Sequence, residues 1–149
     1  MSEIDNDSSA VAELICELTR NCNIKEEFFA ASFNLSPTEV RLLKLFAFEE
    51  TFTIKEIRQK LNLSPGRISH ILKSLEAKKL LSRISDDADK RNTIVRLLPN
   101  ASPFIKNLQE NYRRLHNDLL KNVNNAEMNN IYQSLKILVD IFKNWVETK

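Results

Sequence analysis

Among 149 residues there is one glycine, Gly66. Glycine takes positive φ without steric cost, so a chain this poor in it, against a usual share of about 7%, is starved of tight hairpins and phosphate-cradling loops. Helices need neither, and a mainly α protein is expected. With 42% hydrophobic and 28% charged residues the chain reads as one globular domain and not as a disordered or fibrous one. No apolar run approaches the roughly 18 to 20 residues of a membrane span. The start MSEIDNDSS is acidic and polar, unlike a signal peptide, so a cytoplasmic protein without membrane contact is expected.

Charge is small overall and segregated along the chain. The net is +2, yet residues 53–98 hold 11 Lys or Arg and 5 Asp or Glu, a net +6, whereas the remainder holds 11 and 15, a net −4. A basic middle between acidic ends suits a nucleic-acid-binding module flanked by non-binding helices. An enzyme is disfavoured, because there is no P-loop and no His-Glu-x-x-His motif. His116 has no second ligand at i+3 or i+4, and no cofactor or metal is expected.

Cys16 and Cys22 lie six apart in a stretch with helical spacing. Six residues rise about 9 Å, beyond the roughly 7 Å Cα separation that a disulfide tolerates, and the two side chains point to different faces. They should neither bridge each other nor share a metal. Small buried hydrophobes in a reducing compartment is the plain expectation, and oxidation sensing by Cys16 or Cys22 the alternative.

Apolar residues Val11, Leu14, Ile15, Leu18 and Cys22, followed by Phe28, Phe29 and Phe33, predict a long first helix over 8–33, kinked or ended near Asn21–Asn23. Asn-Leu-Ser-Pro then occurs twice, at 34–37 and 62–65. Ser36, Pro37 and Glu39 supply an N-cap, a first-position proline and a capping-box acid before the apolar run Val40–Phe48. Thr53 and Glu56 repeat the box before a short helix with Ile54, Ile57 and Leu61 on its inner face. Ser64 and Pro65 open a helix over 65–78 with Ile68, Ile71, Leu72 and Leu75 on one stripe. Gly66, His70, Lys73 and Ala77 fall opposite that stripe, with Arg67, Ser69 and Ser74 at its margins. Two short helices joined by a tight turn, the second with a polar outer face, form a helix-turn-helix.

Residues 80–98 change period. LLSRIS and TIVRLL bound the charged stretch DDADKRN and predict a hairpin, which directly after a helix-turn-helix is a wing. A third Asn-x-Ser-Pro at 100–103 is read as the cap of a helix with Phe104, Leu108, Tyr112, Leu115 and Leu119. Asn124 and Glu127 open a last one with Met128, Ile131, Leu135, Leu138, Phe142 and Trp145. These apolar rows exceed what a winged module can cover, so the helices over 8–33 and 102–147 are expected to dimerise about the winged part, 36–98.

This order of elements resembles the multiple-antibiotic-resistance regulator (MarR) family of bacterial transcription factors over about residues 8–147. LSPTEVRLLKLF, ILKSLEAKKLLSR, DADKR and VRLL carry the likeness. The resemblance implies a mainly α fold with a small β wing, and a recognition helix presenting Ser64, Arg67, Ser69, His70 and Lys73. It also implies a wing in which Asp89 braces Arg91 for the minor groove. Three positions depart from the family pattern. Lys79 stands where glycine is usual, Leu98-Pro99-Asn100-Ala101 replaces Thr-x-x-Gly, and Ala88 replaces a wing-tip arginine, leaving Lys90 and Arg91 as the wing cations.

The function expected is a homodimeric repressor of transcription bound to double-stranded DNA. Arg67 would contact guanine, Ser69 and His70 base edges or phosphate, Lys55 and Lys73 phosphates, and Gly66 would permit close backbone approach. Three inputs compete: a small lipophilic or aromatic effector in a crevice between the winged and dimer parts, oxidation of Cys16 or Cys22, and no ligand at all. The rival reading is a winged helix used as a protein–protein module, its basic surface binding an acidic partner.

Overall fold

The structure is a computed structural model that describes residues 2–85 and 92–147, with side chains described from residue 8 onwards. Six α-helices and three short strands occur among these residues. They are α1 (Ser2–Phe33), α2 (Pro37–Lys44), β1 (Thr51–Thr53), α3 (Ile54–Leu61), α4 (Pro65–Ala77), β2 (Leu81–Ser85), β3 (Thr93–Leu97), α5 (Ser102–Asn122) and α6 (Asn125–Glu147). The fold is mainly α with a three-stranded antiparallel sheet, as a winged helix-turn-helix requires.

Caps explain where the central helices begin. Ser36 is extended, its Oγ accepts from the Glu39 N–H at 3.1 Å, and Glu39 Oε1 accepts from the Ser36 N–H at 2.9 Å, a complete capping box. Thr53 and Ser64 are likewise extended and accept from the N–H groups of Glu56 and Arg67. The third Asn-x-Ser-Pro behaves differently. A 3₁₀ turn over Pro99–Ala101 precedes it, and Ser102 already has helical φ and ψ, so Ser102 is the first helical residue and not a cap of the Ser36 kind. Pro99, with its φ preset near the helical value, starts that turn three residues early. Asn124 opens α6 through Oδ1, which accepts from the Glu127 N–H at 2.8 Å.

Helix ends show where the missing glycines matter. Positive φ is carried by Asn34 (55°), Asn62 (51°) and Lys79 (61°), and not by Gly66. After α1 the Leu35 N–H reaches the Ala30 carbonyl, and after α4 the Leu80 N–H reaches the Leu75 carbonyl with Lys79 N–H on Glu76, the pattern of a Schellman motif. Asparagine tolerates that conformation; lysine bears a Cβ penalty. The long first helix runs unbroken through Asn21–Asn23, where a kink or end was expected, since asparagine only weakly lowers helix propensity and no proline or glycine interrupts the run.

Two compact units divide the chain, Met1–Lys106 and Asn107–Lys149. The core of the first is packed from α2, α3 and α4 onto the sheet. Val40, Leu42, Leu43, Ile57, Ile68, Leu72, Leu75, Leu81 and Val95 are all essentially without solvent contact. Burial of that many aliphatic side chains, each stabilising by about 1.5–3 kcal/mol, accounts for the unit's cohesion. Two aromatic groups extend it: Phe46 meets Phe52 edge-on at 4.9 Å, and Phe104 meets Phe33 at 5.1 Å and Phe29 at 6.3 Å.

β1 was not foreseen. It pairs with β3 (Phe52 opposite Val95), and β3 pairs in turn with β2 (Arg83 opposite Val95), giving the order β1-β3-β2. Thr51 to Thr53 is too short for a periodic signal, and its last residue doubles as the cap of α3. The strand anchors the hairpin base to the helical core.

In the second unit α6 has no buried residue among those described. Leu135, Ile137, Val139, Ile141 and Phe142 are exposed on it, and Val11, Leu14, Leu18, Ile24 and Phe28 are exposed on α1. Among the described residues no helix is long and apolar enough to cross a membrane.

Candidate nucleic-acid interface

The polar face foreseen on α4 is present. Its stripe of Ile68, Ile71, Leu72 and Leu75 is buried, and Ser64, Gly66, Arg67, His70 and Lys73 are exposed together, with Ser69 half-buried at the margin. Spacing of three and four along the helix brings Gly66, His70, Lys73 and Ala77 onto one outward row. Lys55, in the first turn of α3, is exposed as well.

Gly66 is the second residue of α4 and has negative φ. A Cβ built on it meets nothing within 4 Å. Neither backbone conformation nor internal packing of the chain calls for glycine there. What the missing side chain leaves open is the outer surface at the helix N-terminus, where N–H groups carry partial positive charge. One of these is already used, because Ser64 Oγ accepts from the Arg67 N–H at 3.3 Å. The end is therefore not left wholly to an external anion, and Gly66 contributes room more than donors.

Asp89, Lys90 and Arg91 lie outside the described residues, so the wing is seen only through β2 and β3, whose register runs from Leu81 opposite Leu97 to Ser85 opposite Thr93. The hairpin base leaves β2 beside α4. Arg83 of β2 pairs with Glu76 of α4, and Arg96 of β3 is exposed. Neither arginine was singled out in the sequence; alternation within TIVRL puts Arg96 opposite in facing to buried Val95, which is the signal that finds it.

Electrostatic anchoring behind the face was also missed. Glu39 is 4% exposed and accepts hydrogen bonds from the Ser36 N–H, from Ser74 Oγ at 3.1 Å and from Lys78 Nζ at 2.9 Å. Burial alone would raise its pKa; the Ser36 N–H, the Lys78 ammonium and the Ser74 hydroxyl outweigh burial and hold the carboxyl below the usual carboxylate value. Glu39 is thus a buried anion with every donor supplied by the protein.

A crevice of about 460 Å³ lies beside α2, lined by Leu45, Phe48, Phe52 and Leu61 with Glu26, Arg41, Lys44, Glu49 and Lys60 at its polar part. Arg41 and Lys44 are held by Glu26 at 3.0 and 3.2 Å. Phe48 is largely exposed, so an aromatic side chain stands open at the rim. Cys16 and Cys22 are free and exposed, against the expectation that they are buried: in the single chain this part of α1 is not covered. Among the described residues no group of three or more His, Cys, Asp or Glu side chains is placed to hold a metal ion.

The MarR family model matches residues 33–92, from the last residue of α1 to the residue before β3. The winged part of this chain is similar to that family. An uncharacterised helix-turn-helix transcriptional regulator of Bacillus subtilis, YdgJ, is 25% identical over 133 residues, covering 89% of this chain and 77% of its own. Among solved structures, Streptococcus pneumoniae FabT in complex with DNA superposes with a TM-score of 0.80 at 14% identity, covering 92% of this chain and 98% of FabT. A mutant of Escherichia coli MarR complexed with operator DNA superposes at 0.65 with 19% identity, over 86% and 92% of the two chains. Such likeness extends the MarR fold to most of the chain, α1, α5 and α6 included.

Proposed function

We propose that this chain is a MarR-family transcription regulator, a cytoplasmic repressor that binds a pseudo-palindromic operator in double-stranded DNA as a homodimer. The observation that carries the reading is the outward row of α4: Arg67, His70 and Lys73 stand exposed beside Gly66, which has open space where a Cβ would be. A basic helix face with an unobstructed N-terminal turn fits a major groove, with half-sites about 34 Å apart on one side of the duplex. Arg67 takes the base-reading role, bidentate to guanine N7 and O6, and Ser69 and His70 reach base edges or phosphate. Lys55 and Lys73 carry phosphate charge. Arg91, with Asp89 and Lys90 as its neighbours in sequence, is assigned the minor-groove contact of the wing on the family resemblance.

Dimerisation is supported by the apolar residues that α1 and α6 leave exposed in a single chain, far more than a monomer surface of this size tolerates in rows. The DNA complexes of FabT and of MarR support the choice of partner. The crevice beside α2, with Leu45, Phe48, Phe52 and Leu61 on its wall, suits a small lipophilic or aromatic effector. Exposure of Cys16 and Cys22 supports oxidation as a competing input.

The deciding experiment selects genomic fragments with purified protein, with and without peroxide. An enriched two-fold-symmetric motif is expected. Recovery of no motif overturns the reading in favour of a protein-binding winged helix.

A further inference from the structure

Three helix ends meet at one ammonium group. Lys78 Nζ donates to Glu39 Oε1 at 2.9 Å and to the Asn34 carbonyl at 3.0 Å. Asn34 is the left-handed residue that closes α1, Glu39 lies in the first turn of α2, and Lys78 caps α4. The second carboxylate oxygen of Glu39 accepts from Ser74, one turn earlier on α4. A capping box needs only the contact with Ser36. Glu56 in the same position of α3 is exposed and bonds within its own turn, so capping alone does not explain why Glu39 is buried and shared.

Glu39 is buried, whereas Lys78 keeps 35% of its side chain exposed; burying even one charge is costly and weak evidence of added stability, and the directional contacts that satisfy it favour one arrangement of the helices over others. The stripe that seats α4 is aliphatic and non-directional, and by itself permits the helix to roll and tilt. Hydrogen bonds from Ser74 and Lys78 are directional, and both lie in the C-terminal half, away from the DNA-facing turns. Thirteen residues make α4 about 20 Å long, so a tilt of about 10° about its Lys78 end carries Gly66 through roughly 3 Å, close to the ~3.4 Å rise of one base pair.

We propose that the Glu39–Lys78 node is a positioning device that fixes the inclination of α4 against α1, and thereby sets the half-site spacing that the dimer accepts. Arg83, paired with Glu76, steadies the same end from the wing side. The proposal rests on the dimeric DNA-binding reading, because only a two-fold assembly turns a helix tilt into a spacing. Glu39 and Lys78 act through α4 and need touch no base.

The test uses the full chain and the operator that the wild type selects, with one base pair inserted or deleted between half-sites. Wild type should discriminate against either change by about tenfold, the cost of one poor base-pair contact. Glu39→Gln and Lys78→Met should remain dimeric, keep the same half-site sequence and lower that discrimination to about twofold. Lys78→Arg, which keeps the charge, should restore it. Folded, dimeric variants with the wild-type spacing profile overturn the proposal. Should either variant fail to fold, Ser74→Ala, which removes one hydrogen bond and no charge, must show a smaller broadening, and an unchanged profile there overturns it equally. A wild type that is monomeric or selects no motif instead refutes the DNA-binding reading itself.

Discussion

Gly66→Ala separates what the free protein needs from what its partner needs. The residue is helical with negative φ, and an added methyl meets nothing within 4 Å. Alanine therefore gains helix propensity and loses no contact, a stabilisation of about 0.5–1 kcal/mol. For a chain of this length that corresponds to roughly 1–4 °C in Tm. In the complex the same methyl occupies space that the duplex must enter, and overpacking of a close interface by one carbon costs about 1 kcal/mol or more, or at least a fivefold loss of affinity. Thermal unfolding by circular dichroism gives the first quantity, and fluorescence-anisotropy titration with a labelled operator the second. Opposite signs are the expected result. A lower Tm would refute the reading of Gly66 as unconstrained, and unchanged or tighter binding would show that the N-terminal turn of α4 does not lie against DNA.

Three further outcomes are expected. Arg67→Ala should cost about 1–3 kcal/mol and relax preference at one base pair, whereas Lys73→Ala should weaken all duplexes alike and reduce the salt slope by about one; binding titrations at several salt concentrations on matched and mismatched operators separate the two. Arg91→Ala should lower operator affinity at physiological salt, and an unchanged dissociation constant refutes minor-groove entry of the wing. The folded pKa of Glu39 is depressed, so its contribution is present above the unfolded carboxyl value and is lost as pH falls through the folded one. Denaturant titrations from pH 6 down to pH 3 should show wild type losing stability more steeply than Glu39→Gln, and parallel curves would refute the assignment.

Much of the winged part was legible because its signals are local. Ser36 with Glu39, Thr53 with Glu56 and Ser64 with Pro65 mark helix starts within four residues, and the change from the period of ILKSLEAKK to that of LSRIS and TIVRL marks the wing. The departure at Lys79 was legible too, since the chain must reverse after α4 whatever residue stands there. What escaped is non-local or too short. Lys78 meets Glu39 across 39 positions, a pairing no spacing rule reaches. β1 has three residues and exists because β3 offers it a free edge. Ser102 resembled Ser36 in its neighbours, yet Pro99 had already turned the chain. Cys16 and Cys22 looked like core because their hydrophobicity was weighed without knowing that a single chain leaves that stretch of α1 uncovered.

Left-handed backbone at Asn34, Asn62 and Lys79, with no glycine at any of them, bears on how this sequence can change over time. At Lys79 in particular, replacement by glycine relieves a Cβ strain of order 1 kcal/mol, at the opposite end of α4 from Arg67. A lineage that alters the α4 face to read a new operator, and loses stability in doing so, has a compensating step available that leaves the new recognition surface untouched.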